Sequence, residues 1–134
     1  MTRKNKIQKS SGYVVLLVDD SSEYLESSRS LLEREGHTVL TAENGPDALS
    51  ILNRQKVDLL LLDYYMQGMT GEEVVLKLRQ FNSIVQIILQ TGYSGEQPPR
   101  ELIFRLDIQG YHDKSEGTEK LLILVDLSLK RVLK

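Results

Sequence analysis

Short apolar runs alternate with segments of helical periodicity along the chain from residue 13 onward. Continuous runs rich in Val, Leu and Ile are typical of strands buried on both faces. Five such runs predict strands at 13–18, 37–42, 57–62, 84–90 and 108–113. The segments between and after them predict five helices, which begin near Ser21, Asn44, Gly71, Pro98 and Gly117. We expect the third helix to end near residue 81, the fourth at Asp107 and the fifth near residue 133.

Strands that alternate with helices favour right-handed βαβ units, and hence a parallel sheet with helices on both faces. The pattern therefore predicts an α/β fold. In such sheets, ligands bind outside the carboxyl ends of the strands. The polar residues at these ends are Asp19, Asp20, Asp63, Thr91 and Lys114, and we expect them to share one edge of the sheet.

Three carboxylates at one edge repel one another, and each raises the pKa values of the others. A bound Mg²⁺ relieves this repulsion, because it prefers oxygen ligands and combines one or two carboxylates with waters and a phosphate. Lys114 supplies a positive charge for a phosphoryl oxygen, and Thr91 supplies a hydroxyl donor. The set predicts phosphoryl transfer to a carboxylate. The chain has no P-loop motif, so we do not expect a nucleotide as its own donor.

Each of these residues also has a purely structural interpretation. Residues 20–23, Asp-Ser-Ser-Glu, are suited to capping a helix, and Thr91-Gly92 is suited to a turn. Asp63 alone would cap the following loop, and a lysine such as Lys114 in a polar loop is usually solvated. The placement of all these residues on consecutive strand ends favours the functional interpretation.

Composition and charge narrow the class of protein. The 134 residues are 40% hydrophobic and 27% charged, with a net charge of −2, which predicts one globular domain that binds neither nucleic acid nor a membrane surface. The chain has no cysteine, which fits a cytoplasmic location and excludes thiolate chemistry. No run is long enough for a transmembrane helix. Residues 1–12 are basic without the apolar region of a signal peptide, and we expect a disordered arm there.

Four motifs give the chain a specific resemblance to a known family. They are VDDS at 18–21, LLLLDYYMQGMTG at 59–71, LQTG at 89–92 and GYHDK at 110–114. As a set they resemble the response-regulator receiver domain (CheY-like) of two-component signalling, over about residues 13–131. The resemblance implies a flavodoxin-like (βα)5 fold, with a doubly wound parallel sheet in the strand order 2-1-3-4-5.

The resemblance also implies a role for each site residue. Asp63 is the expected phosphoacceptor. Asp20 is expected to bind Mg²⁺ directly, Asp19 to act mainly through water, and the backbone carbonyl of Tyr65 to complete the protein ligands; Mn²⁺ is an expected substitute. Lys114 is expected to bind the phosphoryl group.

A switch in conformation is implied as well. Thr91 is the expected switch hydroxyl and Tyr111 the switch aromatic, and the surface expected to change is formed by the fourth helix, the fifth strand and the last helix. The expected donor is a histidine kinase or a phosphotransfer protein, and the expected target is a downstream output domain or protein. A receiver of this kind has no external substrate, so we do not expect an enzyme.

Three positions depart from the family pattern. Gln67 stands where proline is usual, which predicts a more mobile loop. Lys114 precedes Ser115 rather than a proline with a cis bond. Because a cis bond before a residue other than proline costs about 3 kcal/mol, either this strain is tolerated or the loop differs. Tyr65 is bulky beside the expected phosphorylation site, where it would shield an acyl phosphate from water.

The last helix is unusually apolar. Leu122, Val125, Leu129 and Val132 have the 3-4-3 spacing of a coiled-coil seam, which predicts a homodimer through this helix or its continuation into a larger protein from residues 132–134. The alternative is one wide buried face with a frayed end.

Two other functions remain open at this point. A pseudo-receiver would keep the fold and bind partners without phosphorylation, and the changes at Gln67 and Ser115 leave room for it. A small Mg²⁺-dependent phosphohydrolase with an Asp-x-Asp motif ranks last, because here two adjacent aspartates precede two serines and no cap insertion covers the site.

Overall fold

The computed structural model describes residues 12–92 and 98–132, in which five strands alternate with five α-helices. The strands are β1 (Val14–Val18), β2 (Thr38–Ala42), β3 (Leu59–Asp63), β4 (Gln86–Thr91) and β5 (Gly110–Asp113). The helices are α1 (Ser22–Arg34), α2 (Gly45–Arg54), α3 (Gly71–Leu78), α4 (Arg100–Arg105) and α5 (Thr118–Leu129). A 3-10 turn, Lys114–Glu116, joins β5 to α5. The arm expected at residues 1–12 lies almost wholly outside the described residues.

All neighbouring strands pair in parallel, in the order β2-β1-β3-β4-β5. This confirms the doubly wound flavodoxin-like fold. Both faces of the sheet carry an apolar core: α2, α3 and α4 pack on one face, and α1 and α5 pack on the other. Every residue of the central strand β3 is buried, which explains its unbroken run of leucines.

Helix starts follow from local capping. The side chain of Ser21 accepts a hydrogen bond from the backbone of Tyr24, so Ser21 and not Asp20 is the N-cap of α1. Asn44 caps α2, and Thr70 and Glu73 form a reciprocal capping box on α3. Because the cap of α1 is supplied by Ser21, Asp20 remains available at the edge of the sheet.

Several strand and helix ends differ from the sequence prediction. The strands β3 and β4 begin two residues later and extend one residue further than expected, so that they include Asp63 and Thr91. The predicted start of the fourth strand, Ile84, is 81% exposed. The third helix ends at Leu78, the fourth at Arg105 and the last at Leu129. After Leu78 and Leu129 the backbone changes to turn-type bonds, in which an N–H donates to the carbonyl three residues back: those of Gln80, Phe81, Arg131 and Val132.

The predicted coiled-coil seam on the last helix is wrong. Val125 and Leu129 are buried against the sheet in the α1–α5 core, and Val132 lies beyond the end of α5. The alternative of a buried face therefore holds for these positions. Apolar residues do remain exposed on α5, but they are Ile123 and Leu127, which lie off the predicted stripe.

Candidate phosphoryl and metal site

The polar residues predicted to share one edge of the sheet do come together. Asp19 and Asp20 follow β1, Asp63 ends β3, Thr91 ends β4 and Lys114 follows β5. One carboxylate oxygen from each of the three aspartates lies within 4.8 Å of the others. Parallel strands with aligned carboxyl ends make this cluster a consequence of topology.

Lys114 is the cation of the cluster. Its Nζ lies 2.5 Å from Asp19 Oδ2 and 3.3 Å from Asp63 Oδ1, and the residue is only 9% exposed. The interpretation of Lys114 as a solvated loop residue is therefore wrong. Burial lowers its pKa, but the hydrogen bond to Asp19 and the charge of Asp63 outweigh burial, and the pKa is raised. The side chain stays an ammonium ion.

The ionised form of Asp63 is unfavourable in its buried position. Burial, followed by the charge of Asp19, raises the pKa of Asp63 to about 7, although Lys114 opposes the rise. Its Oδ1 atom is buried and accepts no hydrogen bond of good geometry, even with Lys114 at 3.3 Å. A buried carboxylate with too few partners is unfavourable, so added positive charge at this point is stabilising.

Thr91 has a similar shortage of partners. It is completely buried, and its Oγ1 has no hydrogen-bond partner among the described residues. A buried hydroxyl without a partner costs about 1–3 kcal/mol. Asp63 Oδ1 has only its ion pair with Lys114, and Thr91 Oγ1 has no hydrogen-bond partner among the described residues. These two atoms lie on neighbouring strands, as expected of a site that takes an additional polar group.

The donor set fits Mg²⁺. All three aspartates offer oxygen atoms, which this ion prefers, and the exposed Asp20 leaves a side open to water. One oxygen of Asp19 accepts from the backbone N–H of Ser21 and the other from Lys114, which fits a role through water rather than direct ligation. Ligation by the carbonyl of Tyr65 stays a prediction.

The loop after Asp63 carries the two departures at Tyr65 and Gln67. The backbone of Gly71 donates to the carbonyl of Tyr64 at 2.8 Å, which closes the loop, and Gly68 has φ +87°. The ring of Tyr65 packs edge-on against the ring of Tyr64, with centroids 4.7 Å apart, and is 42% exposed. The predicted mobility from Gln67 stays untested.

Gly71 gives a first prediction about this loop. A Cβ at Gly71 would lie 2.9 Å from both Asp63 O and Tyr64 Cα, which are backbone atoms that cannot yield easily. We expect Gly71→Ala to destabilise the protein by about 1–3 kcal/mol, measured by urea unfolding. Gly92→Ala is the matched control, because a Cβ there meets nothing within 4 Å. Equal midpoints for the two variants would contradict the prediction.

The turn after Lys114 resolves the question raised by Ser115. Residues 12–92 and 98–132 contain no cis peptide bond. Asp113 Oδ1 accepts from the backbone and the hydroxyl of Ser115, at 2.9 and 2.7 Å, and so starts the 3-10 turn. The loop therefore differs from the family pattern, and Ser115 is part of the capping that makes it.

The switch aromatic predicted at Tyr111 is half-buried. It pairs with Leu89 in the β4–β5 register and packs against the core on the α2–α4 side of the sheet. Thr91 lies two residues further along β4. The two predicted switch residues are thus on neighbouring strands near the same edge.

Three residues beside the site were not singled out from the sequence: Tyr24, Gln90 and His112. Gln90 and His112 are buried opposite each other on β4 and β5, and Gln90 donates to the hydroxyl of Tyr24. Gln90 and His112 could have been noticed as polar residues inside strands predicted to be buried, since buried polar side chains need hydrogen-bond partners. Their partners depend on strand register, which the sequence does not state.

No helix in the described part of the chain has both the length and the apolar character needed to cross a membrane.

Comparison with known proteins identifies the family. The family model of the response regulator receiver domain matches residues 15–126. The transcriptional regulatory protein CpxR of Escherichia coli (strain K12) is 33% identical over 117 residues, which is 87% of this chain and 49% of CpxR. Protein PilH of Pseudomonas aeruginosa is 34% identical over 79 residues, or 58% of this chain and 65% of PilH.

Solved structures of response regulators have the same fold as this chain. Response regulator protein TrrA of Thermotoga maritima, in complex with Mg(2+)-BeF, matches with a TM-score of 0.77 at 32% identity, over 87% of this chain and 99% of TrrA. TrrA bound to histidine kinase ThkA matches with a TM-score of 0.76 at 32% identity, over 87% of this chain and 98% of that chain.

This chain also matches 7% of sensor histidine kinase AruS of Pseudomonas aeruginosa, and so spans less than two thirds of the length of each of these three relatives. The similarity therefore concerns one domain of these mostly longer proteins. The fold, the cluster of polar residues at one edge of the sheet and the family match over residues 15–126 all agree. The chain belongs to the response regulator receiver domain family of two-component systems.

Proposed function

We propose that this domain accepts a phosphoryl group on Asp63 from a histidine kinase or a phosphotransfer protein. The observation that carries the proposal is the arrangement around Asp63. Its carboxylate is buried, and its Oδ1 lies 3.3 Å from the ammonium of Lys114 without a hydrogen bond of good geometry. The relatives support the donor, since TrrA is crystallised with a histidine kinase. No external substrate enters this reaction.

The chemical step is a transfer between two side chains. A carboxylate oxygen of Asp63 forms a bond to phosphorus while the phosphorus–nitrogen bond of the donor phosphohistidine breaks, and the imidazole nitrogen keeps the bonding electron pair. Lys114 stabilises negative charge on the phosphoryl oxygens. Asp63 must be ionised to attack, and positive charge in the site favours this form, as the ammonium of Lys114 already does by opposing the rise in the pKa of Asp63.

Mg²⁺ is the proposed cofactor: Asp20, Asp63 and the backbone carbonyl of Tyr65 would hold it directly, and Asp19 would act through water. When bound, it neutralises charge on the carboxylates and on the phosphoryl oxygens. The neighbouring TrrA structure contains Mg(2+)-BeF, which supports the choice of ion. Asp20 is exposed and makes no cap contact, so it is free to serve as a direct ligand.

The proposed response starts at Thr91. Its orphaned hydroxyl gains a hydrogen-bond acceptor when a phosphoryl oxygen is present, which favours a conformation in which Thr91 turns toward Asp63. Tyr111 then fills the space that Thr91 leaves. Such a switch biases an existing equilibrium between two conformations through contacts made in only one of them.

The proposed output surface is formed by α4, β5 and α5. The ring of Phe104 is 75% exposed, with the guanidinium of Arg100 5.6 Å from its centre, and Ile123 and Leu127 are exposed on α5. Exposed apolar side chains of this kind suit a protein partner. The partner would be an output domain or protein, and a homodimer through α5 stays a further prediction.

Titration with beryllium fluoride in the presence of Mg²⁺ tests this function. We expect saturable binding that depends on both reagents, followed by backbone NMR signals of Thr91 and Tyr111. A pseudo-receiver would show no binding, and a phosphohydrolase would hydrolyse external phosphate monoesters many times per molecule. Either result would contradict the proposal.

Tyr65 gives a prediction about the lifetime of the signal. Its ring is partly exposed two residues after Asp63, where it hinders water from reaching the acyl phosphate. Tyr65→Asn is expected to speed loss of the phosphoryl group by about fivefold, which is about 1 kcal/mol in the barrier. The measurement is dephosphorylation after removal of the donor, with Tyr65→Phe as the control expected to match the wild type. An unchanged rate in Tyr65→Asn removes the shielding role.

A further inference from the structure

A continuous chain of hydrogen bonds runs beside Lys114 through the interior of the α1–α5 side of the sheet. Gln90 Nε2 lies 2.7 Å from Tyr24 Oη and 3.1 Å from His112 Nδ1. His112 Nε2 in turn lies 3.1 Å from the carbonyl oxygen of Gly117. Gln90 and His112 are 2% and 1% exposed. Polar side chains this deeply buried are unfavourable unless they are fully bonded.

The direction of these hydrogen bonds is fixed by their chemistry. The amide nitrogen of Gln90 can only donate, so Tyr24 Oη and His112 Nδ1 both accept. His112 therefore carries its proton on Nε2 and donates it to Gly117. Burial lowers the pKa of His112, which agrees with a neutral ring. In this arrangement of protons, every hydrogen bond from Tyr24 to Gly117 has one donor and one acceptor.

The first member of the chain also contacts the phosphoryl site. Lys114 Nζ lies 4.1 Å from the centre of the Tyr24 ring, and Asp19 and Asp63 form ion pairs with the same ammonium. Cations are attracted to the face of an aromatic ring. Because Gln90 holds the hydroxyl of Tyr24, the position of the ring is fixed from within the sheet.

The last member of the chain contacts the start of α5. Gly117 is the N-cap residue of α5, has φ +89° and offers no side-chain cap. The bond from His112 is therefore a tie between β5 and the beginning of this helix. Tyr24, His112, Lys114 and Gly117 also line one cavity of about 300 Å³ between α1 and α5, which leaves room for small displacements.

We propose that Tyr24 is a positioning residue for Lys114, and that Tyr24, Gln90 and His112 transmit the state of the phosphoryl site to the start of α5. The inference rests on the proposed function of Asp63. A phosphoryl group on Asp63 draws the ammonium of Lys114 away from Asp19. The ring of Tyr24 follows the ammonium, and the hydrogen bonds carry the displacement to Gly117. This route lies on the opposite face of the sheet from Tyr111.

Two substitutions of Tyr24 separate its ring from its hydroxyl. Tyr24→Leu removes both and is expected to weaken the binding of beryllium fluoride, with Mg²⁺ present, about tenfold. Tyr24→Phe keeps the ring and is expected to bind within about twofold of the wild type. Tyr13→Leu is the matched control. Tyr13 is also a half-buried tyrosine, but it lies just before the start of β1, whereas the phosphoryl site lies beyond the end of that strand.

The second part of the proposal is read from the histidine rings by ¹⁵N NMR. The chain has two histidines, and His37 precedes β2, away from the site, so it is an internal control. Beryllium fluoride is expected to shift the ring signals of His112 and the amide signal of Gly117 in the wild type, with no shift at His37. In Tyr24→Phe, which lacks the hydroxyl, binding is expected to persist while the shift at His112 is lost.

The outcomes separate this inference from the proposed function. If the wild type binds beryllium fluoride but His112 does not respond, or if Tyr24→Leu binds as tightly as the wild type, the inference is wrong and the proposed function stands. If the wild type does not bind at all, both are wrong. The wild-type NMR measurement decides the matter even if Tyr24→Leu does not fold.

Discussion

Replacing Lys114 with methionine is expected to lower the free energy of unfolding by about 3–5 kcal/mol at pH 8. The side chain is a buried ammonium ion 2.5 Å from Asp19 and 3.3 Å from Asp63. Methionine has similar bulk without the charge, so it leaves two buried carboxylates without a cation. The loss should be smaller at pH 5, because the raised pKa of Asp63 lets this carboxyl bind a proton. Binding of beryllium fluoride should also be lost.

Urea unfolding at the two pH values measures this effect. Lys56→Met is the matched control, because Lys56 is a mostly exposed lysine whose Nζ lies 3.8 Å from Asp58. Asp58 is buried, but the ammonium of Lys56 is largely in water. An ion pair with a solvated partner contributes little, so the control should change stability by less than about 1 kcal/mol. A Lys114→Met protein as stable as this control at pH 8 would contradict the structural role assigned to Lys114.

Replacing Asp63 with asparagine is expected to have the opposite effect on stability while abolishing phosphorylation. The pKa of Asp63 is raised from 3.8 to about 7, chiefly by burial and then by Asp19. The folded protein therefore binds a proton that the unfolded chain has already released between these pH values. Its stability falls as the pH rises through this range, and the full penalty is present above pH 7.

Asparagine has no such penalty. Asp63→Asn should be more stable than the wild type at pH 8 without metal, by at most about 4 kcal/mol, which is the free energy equivalent of a rise from 3.8 to about 7. The difference should shrink as the pH is lowered toward 4. Unfolding curves at pH 8 and pH 5 measure it, and Glu33→Gln, on the exposed side of α1, is the control. A less stable Asp63→Asn at pH 8 would show that Lys114 outweighs burial.

The fold and the cluster of polar residues could be predicted from the sequence because topology determines both. Apolar runs alternating with helices require a parallel sheet, and a parallel sheet brings Asp19, Asp63, Thr91 and Lys114 to one edge. The motifs then identified the family. Each of these inferences depends only on the order of residues along the chain.

The features that the sequence did not reveal depend on packing between distant segments. The stripe at Val125 and Leu129 has coiled-coil spacing, but the sheet and not a partner helix covers it. Lys114 looks solvated in a polar loop until Asp19 and Asp63 are placed beside it. The bond between Gln90 and His112 requires the register of β4 with β5, which a single sequence does not specify.

The role of Asp63 is tested most directly by incubating the protein with acetyl phosphate and Mg²⁺, and by locating the modified residue through borohydride reduction and peptide mass spectrometry. We expect one phosphoryl group per molecule, attached to Asp63, dependent on Mg²⁺ and absent from Asp63→Asn. Failure to label the wild type, or labelling of Asp63→Asn to the same extent, would contradict the assignment of Asp63 as the phosphoacceptor.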